Sequence, residues 1–249
     1  MEPGSLIIIS ILVFLVAVLY SSVGHGGASG YLAVLSLFVV APATMASTAL
    51  VLNVFVAGIA LFAYARAGHL SIKLAWPFLV LSIPAAFVGG YIQVSDKAYF
   101  ILLALALLFA AFRLAMSAPP PTGTGTLVTV SLPVSLGVGA GIGLLSGIVG
   151  VGGGIFLSPL MIILKWADAK RASAVAALFI VVNSISGLLG RFAKGNLIIG
   201  EFLPLIAVAF LGGLLGSYFG AYRFSGLVLR RLLSVVLIIA SIKLVLALV

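Results

Sequence analysis

The sequence predicts an all-α polytopic membrane protein made of two inverted repeats. Each repeat holds a glycine-broken helix and half-helix unit, followed by three transmembrane helices. Three observations carry this prediction. The 249 residues are 64% hydrophobic and only 7% charged, whereas a soluble domain carries about 25% charged residues. Apolar runs of membrane-spanning length recur along the whole chain. The order of long run, glycine break, short run and three long runs occurs twice.

The elements follow from apolar runs and their breakers. The first repeat, residues 1–116, reads as runs at 5–22, 29–40, 43–64, 72–92 and 98–116, with a glycine-rich break at 24–30. Residues 117–129, "SAPPPTGTGTLVT", form a Pro/Gly/Thr-rich linker expected to be extended and solvated. The second repeat, 130–249, reads as runs at 130–148, 154–165, 170–190, 200–220 and 227–249, with a break at 150–154. "VGHGGA" at 23–28 aligns with "VGVGGG" at 149–154. At nearly the same offset Ala46-Ser47 meets Ala172-Ser173, Gly68 meets Gly195 and Gly89 meets Gly216. Asn53 and Asn183 depart from that register by about one helical turn. Two copies of one unit is the simplest reading.

Loop charge orients the copies. The net charge is +9, and the basic residues stand singly or in pairs between apolar runs, as cytoplasmic loops do, not in a nucleic-acid-binding patch. If each broken unit returns to the side it left, Arg66, Lys73, Arg113, Lys165, Lys170, Arg171, Arg223, Arg230 and Arg231 share one side. Lys97, Arg191, Lys194 and Lys243 share the other. If each unit crosses once, the basic residues divide almost evenly. The positive-inside rule selects the uneven split, hence inverted halves with both termini outside. The short runs 29–40 and 154–165 measure about 18 Å as helices, too short for a hydrocarbon core of about 30 Å. They are expected to be half-helices that start at a break inside the membrane. Glu2 without a basic n-region argues against a cleaved signal peptide.

Irregular backbone at membrane depth is tolerated only where it is buried in protein or lines a cavity. A half-helix N-terminus aims free N–H groups and partial positive charge into such a break. Two inverted breaks would present them to one midplane site suited to an anion. The competing reading is that the glycines serve only tight helix packing. The candidate binding residues are Gly24, His25, Gly26, Gly27 and Ser29 in the first break, and Gly150, Gly152, Gly153 and Gly154 in the second. Ser47, Asn53, Ser173 and Asn183 are the polar candidates on the helices that follow. A Ser or Thr in an apolar helix can simply bond its own backbone. Asn is harder to bury, which favours Asn53 and Asn183. His25 stands where the second break has Val151. It is a candidate donor to an anion, or a carrier of a coupling proton, against a plain capping role. His69 reads as a solvated loop residue. Arg66, Arg113, Arg191 and Lys243 lie at run ends and are expected to snorkel to the interface.

Other chemistries find no support. A dinucleotide or phosphate loop needs a preceding strand and an acidic residue, or Gly-Lys-Ser/Thr, and position 155 is Ile. The chain has no cysteine, and Asp96, Asp168 and Glu201 fall in loops or at run starts. No metal, cofactor or hydrolase arrangement is indicated, and a carboxylate proton relay is absent.

"SGIVGVGGGIFLSPLMIIL" (146–164) and "RASAVAALFIVVNSISGLLGRFAKGNL" (171–197), with their weaker echo in the first half, resemble the TauE/SafE (DUF81, sulfite exporter) family. The first half departs from the family's glycine motif at His25, Ala28 and Ser29. The resemblance implies a prokaryotic plasma-membrane transporter for small sulfur-containing anions such as sulfite, sulfoacetate and other sulfonates. The expected partners are that anion, the lipid bilayer and, through His25, a proton. A passive anion channel and a non-transporting scaffold subunit are the alternatives.

Overall fold

A computed structural model describes residues 3–22, 24–38, 40–116, 128–198, 200–222, 237–239 and 241–246. Most of the 117–129 linker, Glu2, Arg223, Arg230, Arg231 and much of the last run lie outside the described residues. Helices α1 (Pro3–Ser21), α2 (Ala28–Leu37), α3 (Pro42–Arg66), α4 (Ile72–Tyr91) and α5 (Asp96–Ala115) come first. Helices α6 (Leu132–Val149), α7 (Gly154–Ile163), α8 (Ala169–Ala193) and α9 (Leu205–Tyr222) follow, with a 3₁₀ turn at Gly200–Phe202 before α9. A further apolar helix, α10, falls within Leu237–Leu246. Among the described residues there is no strand. Among the described residues five helices, α1, α3, α4, α6 and α8, are long and apolar enough to cross a membrane. Helices α2 and α7 have 10 residues each, or about 15 Å, and do not span.

The helix ends follow from local sequence. Pro42 and Pro133 sit in the first turns of α3 and α6, where a missing N–H costs nothing. Asp168 caps α8, its Oδ1 accepting from the N–H groups of Lys170 and Arg171 at 3.0 Å each. The long central helices α3 and α8 close with the same turn. The Gly68 N–H donates to Ala65 O and the His69 N–H to Tyr64 O, both at 3.0 Å. The Gly195 N–H donates to Phe192 O at 3.0 Å and the Asn196 N–H to Arg191 O at 2.8 Å.

Packing joins helices from the two sides of the 117–127 stretch. Helix α4 lies against α6 and α8, α1 against α9, and α3 against α8 and α9. The α4–α6 contact is a seam of small residues. A Cβ at Gly139, Gly143 or Gly147 would collide with the backbone of Phe78, Ser82 or Ala86, one helical repeat apart on α4. Close backbone approach of this kind is how helices associate where lipid supplies no hydrophobic drive. Val16, Leu32, Met45, Leu52, Leu103 and Val149 belong to one fully or nearly fully buried apolar cluster. The outward faces of α1 and α4 carry exposed Ile7, Ile11, Trp76, Val80 and Phe87, as lipid-facing surfaces do. The Val128 N–H donates to Lys165 O at 2.8 Å, so the unit holding α6 and α7 ends at the level where it began.

Candidate functional site

The two glycine breaks meet at the middle of α3. Both half-helices begin at a glycine in the left-handed region, Gly27 (φ 96°) for α2 and Gly153 (φ 81°) for α7. Only glycine adopts this conformation without strain, so the chain reverses here and starts a helix within two residues. Asn53, fully buried, lies between the breaks. Its Oδ1 accepts from the Ala28 N–H at 3.2 Å, taking one of the free donors at the start of α2. Its Nδ2 donates to Val151 O at 3.2 Å. One side chain thus bonds both breaks. The fit is tight: a Cβ at Gly26 would stand 2.5 Å from Asn53 Oδ1, and one at Gly152 would collide with Asn53 Nδ2. Ile180 of α8 borders the same two glycines from the opposite side.

His25 joins the breaks a second time. Its Nε2 lies 2.9 Å from Ser158 Oγ on α7, and its N–H donates to Tyr20 O at 2.9 Å. Ser29 Oγ and the Tyr20 hydroxyl are 2.5 Å apart and buried. At the end of α6, just before the second break, the carbonyls are satisfied by side chains. Arg191 Nη2 donates to Gly147 O at 2.9 Å and to Ile148 O at 2.7 Å, and the Tyr99 hydroxyl donates to Val149 O at 3.1 Å. A cation and a hydroxyl there complement the negative end of the helix dipole.

A family model for "Sulfite exporter TauE/SafE" matches residues 9–244. The chain belongs to the TauE/SafE family. A relative from Sinorhizobium fredii (strain NBRC 101917 / NGR234), named "Probable membrane transporter protein y4hK", is 35% identical over 240 residues, covering 95% of this chain and 96% of its own. No solved structure matches. This TauE/SafE chain is a multi-pass membrane protein of transporter type.

In this TauE/SafE chain, Gly24, His25, Gly26, Gly27, Asn53, Gly150, Gly152, Gly153 and Gly154 are gathered at or beside the breaks. Asn183 is not between them: its Nδ2 donates to Phe179 O of its own helix at 2.9 Å, and its Oδ1 is buried without a partner. Ser47 lies in the second turn of α3 and turns away from the breaks, its Oγ donating to Asn196 O and accepting from the Ile198 N–H, both at 3.4 Å. Ser173 is half-buried near the start of α8. Two cations depart from the snorkelling expectation. Arg191 is only 7% exposed, turned inward because the last carbonyls of α6 need donors. Lys243 is exposed but caps α2, its Nζ donating to Leu37 O at 2.6 Å. His69 is half-buried, its ring centroid 6.2 Å from that of Tyr64. Sequence reasoning passes over Ser158, Tyr64 and Tyr99. A lone serine in the apolar run "GIFLSPL" was the available signal for the first.

Proposed function

We propose that this protein moves a small sulfur-containing oxyanion, a sulfonate or sulfite, across the membrane by alternating access between two inverted repeats. The repeats are residues 1–116 and 130–249, joined by 117–129. The observation that carries the reading is the convergence of two glycine breaks on Asn53, each opening a half-helix N-terminus. Backbone N–H groups and helix dipoles bind oxyanions without needing a counter-charge that would hold the substrate too tightly. Inverted repetition is supported by the paired turns after α3 and α8, the paired left-handed glycines, and packing that exchanges α1–α9 for α6–α4. The family's description as a sulfite exporter supports the substrate class.

In this reading Asn53 positions the breaks, and His25, held by Ser158, supplies a donor to the anion or carries a coupling proton. Gly24, Gly26, Gly27, Gly150, Gly152, Gly153 and Gly154 let the anion approach the backbone, while Ser29, Ser47, Ser173 and Asn183 line the path in states other than this one. The test is flux of labelled sulfite, sulfoacetate and taurine in vesicles containing the purified protein. Saturable flux of at least one anion is expected, and a His25→Ala variant reports the coupling role. No flux of any sulfur anion overturns the substrate class, and flux that never saturates replaces the transporter with a channel.

A further inference from the structure

A cavity of about 280 Å³ opens at the end of the bundle that carries His69 and Lys170. Its walls come from four helices and a loop. Ser21 and Ser22 end α1, Tyr64 lies near the end of α3, Ser217 lies on α9, Lys170 starts α8, and His69 follows α3. Among the described residues, none that lines it is acidic. The acid nearest Lys170 in sequence is already engaged: Asp168 Oδ1 caps α8, and its Oδ2 pairs with Arg171 Nε at 3.4 Å. Lys170 lines this space, and the Asp168 carboxylate is held by α8 and Arg171. The volume falls just below the range for drug-sized ligand pockets, about 300–1,000 Å³, which fits an anion of a few heavy atoms.

The cavity also borders the first break. A Cβ at Gly24 would lie 2.6 Å from Tyr64 Cε2, so a single aromatic ring stands between the cavity and residues 24–27. At the other end of the bundle, contacts knit the corresponding region shut. Arg191 binds the end of α6, Gly150 abuts the Ala46 backbone, with a Cβ there 2.7 Å from Ala46 Cα, and Ser47 is tied to Asn196 and Ile198.

We infer that this cavity is a second oxyanion site, a vestibule where the substrate waits before Tyr64 yields and admits it to the breaks. The inference rests on the transport reading above and adds a site to it. Lys170 supplies the charge and His69 a ring N–H, while the Ser22 and Ser217 hydroxyls donate to Leu19 O at 2.7 Å and Leu214 O at 3.0 Å and only line the wall. A lipid phosphate is the other source of the same chemistry. Soluble anion is favoured because the cavity is small and reaches inward toward the break.

The chain's lack of cysteine makes a single thiol an unambiguous reporter. A Ser217→Cys variant in phosphatidylcholine vesicles is labelled with a membrane-impermeant thiosulfonate reagent while sulfoacetate is titrated. Sulfoacetate is expected to slow labelling. Adding Lys170→Gln should raise the half-protecting concentration about tenfold, the scale of one charge-assisted hydrogen bond. His69→Asn serves as the second variant, with the melting temperature confirming that each folds. Protection that is absent, or unchanged in both variants, overturns the vestibule. Protection by added phosphatidylglycerol alone also overturns it, in favour of a lipid site. Protection without vesicle flux supports the site and counts against the transport reading, whereas saturable flux without protection does the reverse.

Discussion

The break at residues 24–27 and the break at 150–153 share a backbone and differ in their side chains. Each turns on left-handed glycines, and each launches a ten-residue helix from one of them. Yet the first carries His25, which reaches across to Ser158, while the second carries Val151, which offers only its carbonyl to Asn53. The neighbours differ likewise. Gly24 faces the Tyr64 ring beside the cavity, and Gly150 faces the Ala46 backbone near a capped helix end. The lesson is that backbone geometry was kept where both breaks need it, and side-chain chemistry was concentrated in one. The N-terminal break carries a titratable ring, and the C-terminal break carries an apolar side chain in its place.

The comparison breaks most severely at Gly152. Gly152→Val should destabilise the protein by roughly 3–5 kcal/mol, combining a left-handed β-branched residue with a clash against Asn53 and Ile180. Thermal unfolding in detergent measures it, and near-normal stability would show that the breaks are not held together by close approach. Arg191→Met should cost about 2–3 kcal/mol, because two buried carbonyls lose a charged donor. Denaturant unfolding checks it, and Arg191→Lys should restore part of the loss. Asn53→Ala leaves the Ala28 N–H and Val151 O unpaired and should cost about 2 kcal/mol. Hydrogen exchange at the start of α2 should accelerate in that variant. The smallest effect sharpens the comparison. His25→Val makes the first break resemble the second, and should cost about 1 kcal/mol through loss of the Ser158 hydrogen bond while removing flux. A variant that unfolds instead would make His25 structural.

The helices were legible because glycine, proline and charge punctuate a chain that is otherwise apolar. Predicted run ends fall within a few residues of α1–α8. The start of α9 came five residues later than expected, where residues 200–202 form a 3₁₀ turn instead. The breaks were legible through their repetition. What escaped was the direction in which side chains point. Asn53 and Asn183 look alike in sequence, but they stand 130 residues apart in a register of 126–127. Three or four residues decide which part of a helix face meets the breaks. The position facing them from α8 is Ile180, and Asn183 turns to its own helix. Arg191 was misjudged for a related reason. A position at a run end does not reveal whether the nearest unsatisfied carbonyls lie in the interface or inside the bundle.

The seam between α4 and α6, with α1 on α9 and α3 on α8, bears on how the chain is made. During synthesis, α1, α3 and α4 emerge before their principal neighbours have been translated. They must wait in lipid, where apolar outer faces are tolerated, while the bare glycine backbone of α6 and the receiving surface of α4 remain apart. Completion of the bundle is therefore a docking of two newly inserted segments. A chain cut between residues 116 and 128, with both pieces co-expressed, should still assemble and co-purify.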